Sequence, residues 1–316
     1  MKVQDVKKVG VAGSGLMGHG IAVNSAIWGY PTMMYDISED VLKKAMKDIN
    51  ADLNIFVEEG LITREHAAET ERRITTTADI AKFAANCDFI TEAIVERSKD
   101  KFELFNKLDT LCPPHTIIAS NTSSLVLSDF ARGAKRQDKI VLTHYFSPAD
   151  FVPGVEVAKG PGASDESFNI TYELMKKWHK APIKVLKEYP GYVVNSLQFA
   201  LMRQADILIG EGVVTAEELD RGFAATAGFR MPHEGPVMRG DMSGGWRWPK
   251  DIRIKMVEER MAALPAASSK VMARLKADIE TGKPALLDAN KMDDEFNLAY
   301  REYARRLKDL YWGKQQ

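Results

Sequence analysis

His144 closes the apolar run Lys139-Ile-Val-Leu-Thr-His144, and Glu156 follows it within the short extended segment Val155-Glu-Val157. An imidazole at the end of a strand can take a proton from a hydroxyl when a carboxylate holds its other ring nitrogen. A structural histidine fits the same position, so the pairing with Glu156 is an expectation. Upstream lies a polar loop, Asn121-Thr-Ser-Ser124. Its Ser123 can hydrogen-bond a reacting oxygen or can cap the short helix that begins near Leu127. A different chemistry is written at the start of the chain. Gly13-Ser-Gly15-Leu-Met-Gly18 is a G-x-G-x-x-G, and the run Thr32-Met-Met-Tyr35 ends in Asp36 at nearly the spacing expected of a ribose-binding acid. In that pattern the first glycine allows a tight turn, the second lets backbone approach a pyrophosphate, and the third lets helix and strand pack closely. The helix start then offers unpaired N–H groups and partial positive charge to phosphate.

These residues need strands and helices to hold them. Lys8 to Ala12 reads as a buried strand and Leu16 to Trp28 as a helix. A long helical pattern from Val41 to about Glu59 and a second from Thr63 to Arg72 form an antiparallel pair, about 41–72. The pair is too long for a minimal crossover and is expected to project from the sheet. Further strands are expected at Arg73 to Thr77, Cys87 to Thr91, Thr116 to Ser120, Lys139 to His144, Val155 to Val157 and Ile183 to Leu186. Between them lie helices at Asp79 to Ala85, Lys99 to Leu111, Leu127 to Ala131 and Phe168 to His179. Strands alternating with helices argue for an α/β fold, a doubly wound, mostly parallel Rossmann-type sheet. In such sheets the carboxyl ends of the strands face the ligand crevice. Pro190-Gly191 marks a boundary. Residues 1–189 are read as the dinucleotide-binding domain and 190–316 as an all-helical domain. In the latter, helices are expected at Val193 to Glu211, after Thr215, and at Ile252 to Ala263, Ala266 to Thr281 and Asp293 to Trp312, with an irregular Gly-rich stretch at 234–245.

Composition narrows the function classes. The chain has 316 residues and a net charge of −1. It has no basic field for nucleic acid and no apolar run long enough to span a bilayer. Its N-terminus leads straight into the first strand without the apolar core of a signal peptide. Cys87 and Cys112 make neither a disulfide framework nor a metal cluster and read as packing thiols. A cytoplasmic protein without a metal site is expected.

Six ordered motifs carry a resemblance: Gly13-Ser-Gly15-Leu-Met-Gly18, Glu92-Ala-Ile-Val-Glu96, Ser120-Asn-Thr-Ser-Ser-Leu125, His144-Tyr-Phe-Ser-Pro148, Val155-Glu-Val157 and Pro190-Gly-Tyr-Val-Val-Asn195. Together they resemble the L-3-hydroxyacyl-CoA dehydrogenase family over roughly the first two-thirds of the chain. The resemblance implies an NAD-dependent oxidoreductase that interconverts a 3-hydroxyacyl substrate, CoA-linked in the family, and its 3-oxo form. It also implies a homodimer formed through the helical domain. At matching positions the active site would be Ser123, His144, Glu156 and Asn195. His144 would be the acid/base, Glu156 would orient its imidazole, and Ser123 and Asn195 would hydrogen-bond the reacting oxygen or the ring. Gly13, Gly15, Leu16, Met17, Gly18, Asp36, Glu96, Lys101, Ser123 and Ser147 would meet the cofactor. The Asp36 charge would repel a 2′-phosphate, which implies NAD rather than NADP.

The sequence departs from the family on the substrate side. Ser147 replaces an amide in the family's His-Phe-Phe-Asn-Pro. The tip of the helical pair, Val57-Glu-Glu-Gly-Leu61, is acidic where the family is basic. Trp246-Arg-Trp248 follows the Gly-Pro…Asp…Gly skeleton near residue 240, and the closing Gly-x-Lys-Thr-Gly-x-Gly-Phe-Tyr motif is missing. A free hydroxy acid or a ring alcohol, as in gulonate- or carnitine-dehydrogenase relatives, is therefore an alternative substrate. Arg230 or Arg239 would then clamp its carboxylate, unless each is paired with a protein acid. An NAD-binding structural or sensor protein with little catalysis is the alternative from another class.

Overall fold

The computed structural model describes residues 1–58, 61–262, 276–277, 279–282, 291 and 294. The chain divides into two compact units, Met1–Met202 and Arg203–Gln316.

The first unit is built on one eight-stranded sheet. Its strands are β1 (Val9–Ala12), β2 (Thr32–Tyr35), β3 (Ile74–Thr77), β4 (Phe89–Glu92), β5 (Ile117–Ser120), β6 (Ile140–Tyr145), β7 (Gly154–Lys159) and β8 (Ala181–Val185). Their order is β3-β2-β1-β4-β5-β6-β7-β8. Every neighbouring pair is parallel except β6 and β7. The order turns back at β1 and β4, which makes the crevice beyond their carboxyl ends the switch point where ligands bind in such sheets.

The strands are short apolar runs because both faces of the sheet are covered. Successive residues feed opposite sides. Phe89, Ile117, Val141 and Tyr145 join one apolar cluster, and Ile90, Ile118, Ile140 and Leu142 join the other. Helices α1 (Gly18–Ala26), α2 (Glu39–Glu58) and α7 (Asp165–Lys177) contribute to the first cluster. Helices α4 (Ile80–Ala85), α5 (Ser98–Leu111) and α6 (Leu127–Phe130) contribute to the second. Between α2 and α4 lies α3 (Arg64–Arg72), capped by Thr63, whose hydroxyl accepts from the His66 N–H.

Three local expectations are corrected, at α7, at β8 and in the Gly-rich stretch after Glu234. Helix α2 buries one face. Leu42, Ala45, Ile49, Leu53 and Phe56, at helical spacing, are buried in the same cluster as β1 and α1. Helix α7 starts earlier than Phe168, because the Ser164 hydroxyl caps it by accepting from the Ser167 N–H. Strand β8 begins before Ile183 and includes Pro182. The missing N–H is tolerated there because β8 is an edge strand. The Gly-rich stretch after Glu234 forms a helix, with Gly235 as N-cap and Pro236 in the first turn.

The division between units falls within α8 (Val194–Gly210), later than Pro190-Gly191. The first turn of α8 stays tied to the sheet, since the N–H groups of Val193 and Val194 donate to Glu156. The second unit, taken by itself, contains α9 (Ala216–Ala225), α10 (Ala227–Arg230), α11 (Pro236–Met242) and α12 (Lys250–Met261). Among the described residues it has no strand, as its sequence suggested. Thr215 caps α9 by accepting from the Glu218 N–H. The acidic hairpin tip at Glu59 and Gly60 lies outside the described residues. So, wholly or in part, do the helices expected at Ala266 to Thr281 and Asp293 to Trp312.

Ile49 is fully buried. If α2 is part of the core, Ile49→Ala should cost about 2–4 kcal/mol in urea denaturation. A loss within about 0.5 kcal/mol, as for a solvated helix, would contradict the packing.

Candidate active site

The pairing of His144 with Glu156 follows from strand register. In the antiparallel β6–β7 ladder His144 stands directly opposite Glu156. Residues 140, 142 and 144 share one face of β6, and 156 and 158 share that face of β7, so the two side chains meet on the α5–α6 side. His144 Nδ1 lies 2.7 Å from Glu156 Oε2. The other carboxylate oxygen accepts from the Val193 and Val194 N–H groups at 2.9 and 2.8 Å. These are first-turn amides of α8, which have no partner inside the helix. His144 is 3% exposed and Glu156 is 0% exposed. With Nδ1–H donated to the carboxylate, Nε2 is left with its lone pair, the form that accepts a proton.

A second buried acid escaped the sequence reading. Glu92, at the end of β4, is 0% exposed, and Lys101 of α5 is 1% exposed. Lys101 Nζ donates to Glu92 Oε1 at 2.6 Å and lies 3.2 Å from Glu96 Oε2. The Ser120 hydroxyl and the Ile94 N–H complete the Glu92 shell. The signal was the register, since Glu92 pairs with Ala12 and Ser120 at the carboxyl ends of β1 and β5. Glu96 gathers the polar loop. Its Oε1 accepts from Thr122 Oγ1, from the Ser123 and Ser124 N–H groups and from Ser124 Oγ. Burial alone would raise its pKa. The Thr122 and Ser124 hydrogen bonds and the Lys101 ammonium outweigh that and bring it down to about 2.

The glycine turn has the geometry its spacing suggested. Gly13 has φ +97, and a Cβ there would strike the Ala93 carbonyl at 2.6 Å. A Cβ on Gly18 would stand 1.9 Å from the Gly13 carbonyl oxygen, whereas one on Gly15 would meet nothing within 4 Å. Gly13 and Gly18 therefore hold the turn, and Gly15 leaves its open side free for a ligand. Asp36 Oδ2 accepts from the Ser14 N–H and hydroxyl, each at 3.0 Å.

Two cavities meet at Met17, Ala93 and Ile94. One, about 640 Å³, is lined by Gly13, Gly15, Leu16, Asp36 and the apolar Ile37, Val41, Ile80, Val95 and Leu104. The other, about 450 Å³, is lined by Glu96, Lys101, Asn121, Ser123, His144, Ser147 and Asn195. Phe146 and Gln198 line it as well and were not singled out by sequence. The Asn121 side-chain oxygen also accepts from the Tyr145 N–H. An acid beside an apolar shelf at one end, a turn of free backbone in the middle and a polar chamber at the other fit an extended dinucleotide.

These ordered features are matched by known proteins. Residues 8–189 match the model for the 3-hydroxyacyl-CoA dehydrogenase NAD binding domain, and residues 191–283 match that for its C-terminal domain. The chain belongs to the 3-hydroxyacyl-CoA dehydrogenase family. It is 36% identical over 231 residues to human mitochondrial hydroxyacyl-coenzyme A dehydrogenase, covering 72% of this chain and 73% of that protein. It is 32% identical over 240 residues to a probable 3-hydroxybutyryl-CoA dehydrogenase of Bacillus subtilis, covering 76% of this chain and 82% of the relative. Among solved structures, the (S)-3-hydroxybutyryl-CoA dehydrogenase of Ralstonia eutropha superposes with a TM-score of 0.67 at 27% identity, covering 86% of this chain and 94% of that one. The chain is thus an NAD-dependent dehydrogenase acting on a CH–OH group.

Arg230 and Arg239 lie in the second unit, and both face Glu234, whose side chain is buried. Arg230 Nε lies 3.3 Å and Arg239 Nη1 3.1 Å from Glu234 Oε1. Each is thus paired with a protein acid. Cys87 and Cys112 are free and buried, and burial pushes their thiols up to about 12 and about 11. That suits packing thiols. Among the described residues no helix is long and apolar enough to cross a membrane, and no His, Cys, Asp and Glu group could hold a metal.

The glycines separate folding from binding. Gly15→Ala should fold normally and weaken NADH binding at least roughly tenfold, read by fluorescence titration. Gly18→Ala should lose about 3 kcal/mol of stability before binding is considered. Equal effects of the two on thermal melting would contradict the assignment.

Proposed function

We propose that this dehydrogenase oxidises a 3-hydroxyacyl thioester of coenzyme A to its 3-oxo form, with His144 as the proton acceptor. The observation that carries the chemistry is the His144–Glu156 pair in the chamber adjoining the glycine turn. The thioester is supported by what the relatives are named for, hydroxyacyl-, 3-hydroxybutyryl- and 3-hydroxyadipyl-CoA.

NAD, when bound, supplies the acceptor for the hydride that leaves the carbinol carbon. The Gly13–Gly18 turn, with Leu16 and Met17, would hold its pyrophosphate, Asp36 would accept from the adenosine ribose, and Glu96, Lys101 and Ser147 would border the nicotinamide end. As the hydride leaves, the hydroxyl proton passes to His144 Nε2. Glu156 keeps the ring in register and offsets the imidazolium charge. Ser123 and Asn195 hydrogen-bond the reacting oxygen or the ring. In the reducing direction His144 returns the proton. Leu197, Phe199, Leu201 and Met202 of α8 are exposed, which supports a homodimer. The two free thiols fit a reducing, cytoplasmic setting.

His144→Gln should keep NADH binding while hydride transfer falls by roughly 10²–10⁴-fold. Unchanged turnover would remove His144 from the mechanism. The wild-type protein should oxidise NADH with acetoacetyl-CoA and leave free acetoacetate untouched. The reverse pattern would establish the free-acid reading, and tight NADH binding without turnover on either would favour a sensor.

A further inference from the structure

A cluster of His19, Asp52 and Asp150 ties the cofactor turn to the loop that joins the two catalytic strands. His19, in the first turn of α1, places Nδ1 2.9 Å from the Gly15 carbonyl oxygen. Its Nε2 lies 3.3 Å from Asp52 Oδ2 of α2. Asp150 sits in the segment between β6 and β7. Both of its carboxyl oxygens are buried and receive no N–H or hydroxyl donor. The Asp150 carboxyl lies tight against α1, since a Cβ on Gly20 would stand 2.9 Å from its Oδ1. On its other side the loop is anchored by Lys180, which donates to the Ala149 and Val152 carbonyls, and by the Asn24 amide on Ala149.

The count of donors decides what the cluster needs. The Gly15 carbonyl only accepts, so His19 Nδ1 carries a hydrogen. Nε2 faces Asp52 Oδ2 without a hydrogen bond between them, so that oxygen and both carboxyl oxygens of Asp150 are buried with no donor. A proton held between the two carboxyls would supply the missing donor. Burial and the adjacent Asp150 carboxylate push Asp52 up to about 6. His19 opposes that shift and Asp48, one turn earlier on α2, adds to it. Lys180, brought down to about 8 by burial, is the other charge facing Asp150.

We propose that His19, Asp52 and Asp150 are positioning residues that hold the Gly15 turn and the Phe146–Pro153 loop together through a shared carboxyl proton, and so link NAD affinity to a proton other than the one His144 handles. The proposal rests on the reading that the Gly13–Gly18 turn holds the cofactor. When the shared proton is lost, a second negative charge appears beside the turn that receives the pyrophosphate, and the loop is pushed from α1. NADH affinity should therefore fall as pH rises through about 6. The sign for stability is the same. A carboxyl whose folded pKa lies above its ordinary 3.8 favours the folded state while protonated, and that advantage disappears as pH climbs from 3.8 to about 6.

NADH titrations between pH 5.5 and 7.5 test this. The wild-type dissociation constant should rise roughly two- to fivefold across the range. Asp150→Asn, which supplies an N–H donor and removes the second charge, should flatten the profile and bind more tightly at pH 7.5. Asp52→Asn carries the same test should Asp150→Asn fail to fold, and it should melt higher than wild type at pH 7 but not at pH 4. Parallel wild-type and variant profiles would overturn the proposal. Failure of every form to bind NADH would instead overturn the cofactor reading of the turn.

Discussion

Two backbone N–H groups at the start of α8 hold Glu156, and Glu156 holds His144. The site depends on this short relay. It needs one antiparallel pairing in an otherwise parallel sheet, because only a directly opposed pair brings the imidazole and carboxylate face to face. A slip of one residue in β6 against β7 would send His144 to the α7 side of the sheet. The buried apolar neighbours Val141, Leu142, Val155 and Val157 forbid that slip, so the packing of the strands sets the geometry of the imidazole.

A second constraint is the Lys101 ammonium, almost fully removed from water. Such a charge costs several kcal/mol unless paired and hydrogen-bonded, and breaking the pairing leaves the partner stranded. Here the two acids bordering the Glu92–Glu96 turn surround it, and Ser120 and the Thr122–Ser124 loop satisfy their remaining oxygens. The network fixes the ends of β4 and β5 against α5. It therefore sets the wall of the polar chamber as well as the position of Ser123. An isolated pair on the surface would contribute little. Buried at the carboxyl ends of two central strands, the same residues specify one arrangement of the loops that follow them.

Much of this was legible in the residues. Gly13, Gly15 and Gly18 announced a turn whose spacing has one physical use, and the structure returns the steric reasons for the first and third. The pairing of His144 with Glu156 was readable because one strand end and one short extended run lay close in sequence. Glu92 was not readable, since an acid at a strand end looks the same whether it faces water or a buried lysine. Lys101 was equally opaque, because its commonest fate is a solvated surface. The buried face of α2 was written in the spacing of Leu42, Ala45, Ile49 and Phe56, whereas nothing in that spacing names the surface it meets. Local pattern gives the face of a helix, while only the tertiary partner gives its direction.

The paired side chains of the polar chamber and those of the β6–β7 connection stand on different kinds of scaffold. His144, Glu156 and Glu92 are strand residues locked in a register that apolar packing enforces. Ser147 and Asp150 lie on the connection between β6 and β7, where the backbone leaves the sheet and no ladder constrains it. A change on that connection leaves the imidazole where the opposed strands hold it, because the two ends of the loop are those strands themselves. Side chains that must sit within a few tenths of an ångström of a reacting proton belong on the sheet.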